Sequence, residues 1–177
     1  MVEKGKIKVF KLSFEGKEQI LHIYGPGHTF GEVPVFEGKN FPASSMALEK
    51  SIIIFLPRGK FVDLITTTPG LGMILLADLS KRLRDFTIQI ENLSLKEVPA
   101  RLAAYILTLA KEQKNEKQVT LPISKAQLSN LIGTTPETVS RILKKMIDAS
   151  YIEVQTKTIF IKDNEGLLEL SESGSLS

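Results

Sequence analysis

The stretch "LSNLIGTTPETVSRILKKM", residues 128–146, decides the fold of the C-terminal half of the chain. After Gly133, apolar residues recur at the spacing of one buried helical face: Val139, Ile142, Leu143 and Met146. The first turn of this helix instead carries a proline, a carboxylate, hydroxyls and a guanidinium. Polar groups concentrated in an exposed first turn indicate a helix whose N-terminal end contacts a partner.

The residues around this helix predict a second short helix and a hairpin. Ser124 is placed to cap the helix "KAQLSNLIG", which ends at Gly133. Thr134 or Thr135 caps the next helix, with Pro136 in its first turn. "YIEVQTKTIFIKD" alternates as two strands around "QTK". Two helices joined by a tight glycine turn and followed by a β-hairpin predict a winged helix-turn-helix, whose second helix enters the DNA major groove N-terminus first.

Glu137 and Arg141 have side chains that can contact base edges from such a helix. Glu137 can accept a hydrogen bond from a cytosine amino group, and Arg141 can bond a guanine bidentately. Ser140 and Thr138 can contact phosphate or a base edge, helped by the positive helix end. Glu137 alternatively only offsets the helix dipole, but the glycine turn, the hairpin and Arg141 favour DNA. The predicted DNA-binding residues are Ser124, Thr135, Pro136, Glu137, Thr138, Ser140, Arg141, Lys144 and Lys145.

In residues 70–97 the apolar residues recur with the period of a coiled coil. Beginning at Gly72, apolar residues alternate in steps of four and three, and we call the following six the heptad seam: Leu76, Leu79, Leu83, Phe86, Ile90 and Leu93. The alternative is an amphipathic helix lying on its own sheet. The strict 3.5-residue period favours pairing with the same helix of a second subunit. Pro99 then breaks the helix, because proline removes a backbone donor and restricts the preceding residue.

The N-terminal part predicts short strands and turns. "IKVFKL", "QILHIYG", "SSMALE" and "SIIIFLP" are expected strands, "GPGHTFGE" is a loop, and "RGKFVDLI" is a brief helical turn. Strands joined by glycine and proline turns suggest a β-sandwich or roll, so the chain is of the α+β class. A further helix is expected from Pro99 to Glu112, and "NEGLLELSESGSLS" is expected to be loosely ordered.

Composition excludes several kinds of site. The 177 residues contain no cysteine, which excludes disulfides, cysteine-ligated zinc and an iron–sulfur cluster held by cysteines of this chain. The net charge of +3 is too small to indicate nucleic acid by itself, although residues 98–164 carry ten basic and six acidic side chains. With no long uncharged apolar run and no signal-peptide pattern, we expect a cytoplasmic protein with no membrane partner.

From Gly5 to Asp163 the chain resembles the catabolite-activator and fumarate–nitrate-regulator (CRP/FNR) family of bacterial transcription factors. These are dimers with a sensory β-roll, a long dimer helix and a winged helix-turn-helix. The stretch 128–146 is similar to the family's recognition motif, and "GPGHTFGE" is similar to its phosphate cassette. "T-x-E-T-V-S-R" resembles the fumarate–nitrate branch, in which the residues matching Glu137, Ser140 and Arg141 contact the half-site. The resemblance implies a palindromic operator and RNA polymerase as a partner.

The resemblance also bears on the effector. Members that bind cyclic nucleotides have an Arg-Ser/Thr-Ala stretch after the Gly-Glu of the cassette, whose arginine pairs with the cyclic phosphate. Here "KNFPASSMA" puts Phe41 and Pro42 at that place, so cyclic AMP is not expected. The catabolite branch also has an arginine where Pro136 stands. The pocket implied by the resemblance comprises Gly31, Glu32, Ala43, Ser44, Phe86 and Thr87. The family's roll begins several strands earlier, so the resemblance implies an N-terminally incomplete roll, whether as a truncation, a fragment or a variant completed in another way.

Alternative functions remain open at this point. Haem-sensing relatives make His28 in the cassette loop a candidate haem ligand, the alternative being an ordinary surface histidine. Glu32, Asp63 and Asp78 lie in separate predicted elements without a catalytic pattern, so an enzyme is not expected. A ligand-sensing dimer whose wing domain contacts protein is the other possibility, and dependence on Arg141 distinguishes it from DNA binding. The predicted domains are 1–68 for the roll, 69–97 for the dimer helix, 98–172 for the winged helix-turn-helix and 173–177 for the tail.

Overall fold

The N-terminal strands form two small antiparallel sheets in the computed structural model, which describes residues 1–174. The chain divides into two units, Met1–Asp85 and Phe86–Ser177. The first unit contains the strands β1 (Val2–Lys4), β2 (Ile7–Leu12), β3 (Glu18–Tyr24), β4 (Ser44–Ala47) and β5 (Ile52–Ile53). β2 lies between β3 and β4, and β1 pairs with β5. Three predicted strands are confirmed, the predicted strand "SIIIFLP" is a strand only at Ile52–Ile53, and β1 was not predicted.

Three helices follow or interrupt these strands: α1 (Val33–Glu37), α2 (Arg58–Thr67) and α3 (Pro69–Leu95). The helical segment expected after Pro57 is confirmed and is two residues longer than predicted, because α2 runs for ten residues. The hydroxyls of Thr66 and Thr67 donate to the carbonyls of Val62 and Asp63, one turn back, so these β-branched residues continue the helix. Pro69 then begins α3, where a missing backbone donor costs least.

The core of the first unit is small. Val2, Ile7 and Tyr24 form its centre, with Val9 and Phe30 packed against them. Helices α2 and α3, both wholly within the described residues, contain no buried side chain. In the described part of the chain no single helix is long and apolar enough to cross a membrane, and α2 with α3 has that length and composition only as a pair bent by 113°.

The second unit contains four helices and one sheet after the end of α3. The elements are α4 (Val98–Glu112), β6 (Gln118–Thr120), α5 (Lys125–Ile132), α6 (Pro136–Asp148), β7 (Ile152–Gln155), β8 (Thr158–Ile161) and α7 (Asn164–Ser173). The sheet has the order β6-β8-β7 and is antiparallel throughout. β7 and β8 are the predicted hairpin, with Thr156 at φ 56° in its turn. Helices α4, α5 and α6 begin and end within two residues of their predicted limits.

The segment after Asp163 corrects an expectation. It was expected to be loosely ordered, but α7 is a regular helix that packs along α4. The Asp163 side chain accepts a hydrogen bond from the Gly166 amide and so caps the helix. Leu167 and Leu170 are buried, with exposed fractions of 0% and 2%. The predicted tail, 173–177, lies outside the described residues from position 175 onward.

Candidate nucleic-acid interface and effector region

A capped helix and a left-handed glycine hold the turn before α6. Ser124 accepts a hydrogen bond from the amide of Gln127, whose side chain in turn accepts from the Ser124 amide, which makes a complete capping box. α5 ends at Gly133, where φ is 72° and a side chain would be strained. Thr135, and not Thr134, caps α6, and Pro136 occupies its first position. The local sequence therefore sets the turn between the two helices.

The two faces of α6 divide as predicted. The apolar face lies in the core of the second unit and consists of the buried residues Val139, Ile142, Leu143 and Met146. The opposite face is exposed and presents Pro136, Glu137, Ser140, Arg141, Lys144 and Lys145. The carboxylate and the guanidinium lie one turn apart at the N-terminal end of this exposed face. Glu137 and Arg141 are therefore free to contact an external partner while the helix stays fixed.

Hydrogen bonds and charge keep Glu137 ionised. Its own backbone amide, then the Thr135 hydroxyl and the nearby Arg141 charge lower the pKa of this carboxyl below its ordinary value. At neutral pH the group is therefore a hydrogen-bond acceptor only. Arg141 donates from Nη2 to the Thr138 hydroxyl at 3.2 Å. This first turn thus presents an acceptor and a fixed donor side by side, the combination that cytosine and guanine edges require.

In the first unit, Arg82 on α3 contacts several groups of the loop "GPGHTFGE". It forms an ion pair with Glu32 and another with Asp78 on its own helix, the latter at 2.7 Å. Its Nη2 also donates to the Thr29 carbonyl at 2.8 Å and lies near the Thr29 hydroxyl at 3.0 Å. The guanidinium lies 5.2 Å from the centre of the Tyr24 ring. Glu32 and Asp78, which looked unrelated in the sequence, thus share one cation.

The predicted pocket residues divide between the units. Gly31, Ala43 and Ser44 belong to the first unit, as does Glu32, whereas Phe86 and Thr87 lie on the part of α3 in the second unit. The ring of Phe41 covers Gly31, because a Cβ at Gly31 would lie 3.2 Å from that ring. Gly31 has φ 79°, where glycine is favoured.

The two histidines differ in their surroundings. His22 is partly buried and its ring centre lies 4.5 Å from that of Tyr24. Burial, and then the charge of Arg82, lower the pKa of His22 below its ordinary value. His28 is exposed, and its Nδ1 lies 3.3 Å from the Gly25 carbonyl. Residues 1–174 hold no group of three histidine, aspartate or glutamate side chains arranged to bind a metal ion.

Comparison with known proteins agrees with this architecture. Residues 1–68 match the family model of the cyclic nucleotide-binding domain, and residues 100–170 match the Crp-like helix-turn-helix domain. The chain is 32% identical to the cAMP-activated global transcriptional regulator CRP of Haemophilus influenzae, over 90% of this chain and 73% of that protein. The chain belongs to the CRP/FNR family. It is 29% identical to the cyclic AMP receptor protein of Thermus thermophilus, over 97% of this chain and 78% of the relative.

A solved structure extends the likeness to the fold. A CooA variant from Carboxydothermus hydrogenoformans aligns with a TM-score of 0.85 at 24% identity, over 97% of this chain and 78% of that one. The match to the Crp-like helix-turn-helix domain and the relatives of this CRP/FNR chain support a transcriptional regulator that binds DNA through its helix-turn-helix. Its curated relatives are transcription regulators and not enzymes.

Two arginines of this CRP/FNR chain were missed at the sequence level. Arg82 belongs to no predicted site, and its contact with Glu32 spans 50 residues. Arg101 on α4 donates from Nη1 to the carbonyl of Ile132, the last residue of α5, at 2.9 Å. Arg101 thereby supports the turn that leads into α6. Neither contact leaves a local pattern, because each partner is remote in the sequence.

Proposed function

We propose that this regulator is a homodimer that binds a palindromic operator with two copies of α6. The observation that carries the proposal is the exposure of Glu137 and Arg141 on a helix whose other face is buried. Dimers of helix-turn-helix proteins bind half-sites about one helical turn apart, ~10 base pairs centre to centre. By resemblance to the family, the half-site has a TTGA-like or TGTGA-like core.

Each polar residue of the helix-turn-helix has a proposed role. Arg141 bonds the guanine of the half-site, and Glu137 accepts from the cytosine paired with it or near it. Ser140 contacts phosphate or a base edge at the positive end of α6, and Thr138 lies beside Arg141. The remaining contacts are to the DNA backbone: Ser124, Thr135, Pro136, Lys144 and Lys145. Backbone contacts set position and carry no sequence information directly.

The dimer forms through the heptad seam on α3. Its side chains include some of the most exposed apolar groups of the helix, with Leu76 at 59%, Leu83 at 69% and Ile90 at 65%. Phe86 is exposed by 39%. An apolar row of this kind along one helix is favourable only where a partner covers it, and a parallel second copy supplies the matching row.

The effector of the roll is a small molecule other than cyclic AMP. By resemblance, Phe41 and Pro42 stand where the family's cyclic-nucleotide binders have an arginine for the phosphate, and the apolar ring of Phe41 covers Gly31. In the first unit, the pocket implied by the resemblance comprises Gly31, Glu32, Ala43 and Ser44. Haem, with His28 as a ligand, is the candidate to test first. The regulator works in the cytoplasm with RNA polymerase as its partner.

The decisive experiment is selection of binding sites from random DNA with the wild type and the Arg141→Ala variant. The wild type should enrich a palindrome. Arg141→Ala should cost roughly 1–3 kcal/mol per half-site and lose discrimination at one guanine. Lys145→Ala is the matched control on the same helix, and it should weaken all sequences alike. If the wild type enriches no palindrome, or Arg141→Ala enriches the same one equally well, the wing domain contacts protein instead.

Cyclic AMP provides a second prediction. Because an apolar ring replaces the phosphate-binding arginine, titration calorimetry at micromolar protein should detect no binding. The CRP protein of Haemophilus influenzae, which is cAMP-activated by name, is the positive control. A micromolar dissociation constant for cyclic AMP would refute this part of the proposal. Adding haem to the same preparation and recording a visible spectrum tests His28, since a ligated haem gives a Soret band.

A further inference from the structure

Three side chains at the start of α6 form a row of hydrogen bonds. The hydroxyl oxygens of Thr135 and Thr138 lie 3.1 Å apart. Arg141 Nη2 donates to the Thr138 hydroxyl oxygen at 3.2 Å. The Thr138 amide donates to the Thr135 hydroxyl oxygen at 3.3 Å, which is the capping bond of the helix. The row therefore joins the helix cap to Arg141.

The chemistry of Arg141 sets the direction of one of these bonds. Arg141 can only donate, so the Thr138 oxygen accepts from it. In the bond between Thr138 and Thr135 either hydroxyl can donate, and the Thr138 proton is available for it. The Thr135 oxygen also accepts from the Thr138 amide, so Arg141 is connected through Thr138 to the cap of α6.

We propose that Thr135 and Thr138 form a hydroxyl relay that connects Arg141 to the cap of α6 and holds it in position before DNA binds. Thr138 is then a positioning residue, which acts on base discrimination through Arg141. The relay rests on the proposed function, since it assumes that Arg141 contacts a base. It goes beyond that function because it assigns specificity to a hydroxyl that contacts Arg141 and not the base itself.

The relay matters because Arg141 is a long and exposed side chain. Ordering such a side chain on binding costs conformational entropy, and a contact that already orders it removes part of that cost. This lower entropy cost favours binding only when the correct base accepts hydrogen bonds from the guanidinium in the position where the relay holds it. Loss of the relay should therefore lower the affinity for the correct site more than the affinity for a site with the wrong base.

Thr138→Val removes the hydroxyl while keeping the shape of the side chain, and Thr138→Ser is the matched control that keeps the hydroxyl. Dissociation constants are measured for the selected operator and for operators changed at the guanine assigned to Arg141. Thr138→Val should reduce discrimination at this position by about three- to tenfold. Thr138→Ser should restore most of it. The slope of log affinity against log salt should stay unchanged, since no phosphate contact is lost.

A phosphate contact by Thr138 would give a different result. Thr138→Val would then weaken binding to every sequence equally and lower the salt slope, and the relay would be refuted. Thr138→Ala, which has a higher helix propensity, repeats the test in a variant that does not depend on how valine packs. In the Arg141→Ala background, Thr138→Val should cause no further loss at the guanine. A full additional loss there would also refute the relay.

The experiment separates failure of the relay from failure of the proposed function. The wild type and Arg141→Ala both retain Thr138. If they fail to show a palindrome and a guanine dependence, DNA recognition by α6 is wrong and the relay is wrong with it. If both behave as expected while Thr138→Val keeps wild-type discrimination, only the relay is wrong.

Discussion

The two units differ in how completely they bury their own helices. In the second unit α4 buries six side chains, including Leu102 and Ile106, which have exposed fractions of 0%. In the first unit α2 has no buried residue within the described chain, and Phe55 is exposed by 83%. The DNA-binding unit therefore carries its own core. The first unit and the heptad seam leave apolar surface that a partner can cover.

The largest expected effect is on assembly. Leu83→Glu places a charge in the heptad seam, and burying an unpaired charge there costs several kcal/mol. The variant should therefore be monomeric in analytical ultracentrifugation at micromolar concentration, where the wild type should be dimeric.

Arg84→Glu is the matched control for this experiment. It introduces the same side chain at the next exposed position of α3, outside the heptad seam. This control should remain dimeric. A dimeric Leu83→Glu variant would show that the heptad seam is not the interface, and the exposed apolar surface of α3 would need another partner.

A smaller but still large effect is expected in the second unit. Leu167→Ala removes a fully buried side chain from α7 and should lower the free energy of unfolding by about 2–5 kcal/mol. Leu168→Ala, at a neighbouring position that is 51% exposed, should change it by no more than about 0.5 kcal/mol. Urea denaturation followed by circular dichroism measures both variants. Equal, small effects would mean that α7 is not part of the core.

Features that depend on neighbouring residues could be predicted from the sequence. Ser124, Gly133, Thr135 and Pro136 act on the backbone within a few residues of themselves, so their roles were predictable. The exposure of the first turn of α6 was also predictable, because the apolar stripe of this helix determines which side chains face outward.

Contacts between remote residues were not predictable. The ion pair of Arg82 with Glu32 and the bond from Arg101 to the Ile132 carbonyl depend on tertiary packing. Helix α7 was not predicted either. Its serine- and glutamate-rich composition suggested a loosely ordered segment, although two of its leucines have helical spacing. Burial against α4 supplies stability that composition does not reveal.

The smallest expected effect is a pH dependence of the first unit. Burial, and then Arg82, lower the pKa of His22, whereas Asp85 and Asp78 oppose the shift and His28 adds to it. The unfolded chain therefore binds a proton at this histidine at a higher pH than the folded chain does. Stability from the neutral ring is fully present above the unfolded pKa of about 6.5 and is lost as the pH falls below it.

His22→Gln tests this dependence, because glutamine is polar but does not titrate. Between pH 7.5 and pH 5.5, the wild type should lose more free energy of unfolding than the variant, measured by urea denaturation at constant ionic strength. The comparison at pH 8 is the control, since the ring is neutral in both states there and any difference reflects packing alone. A difference between the proteins that stays constant from pH 8 to pH 5.5 would contradict the prediction. It would mean that His22 keeps its neighbours Tyr24 and Arg82 in place whether or not it is protonated.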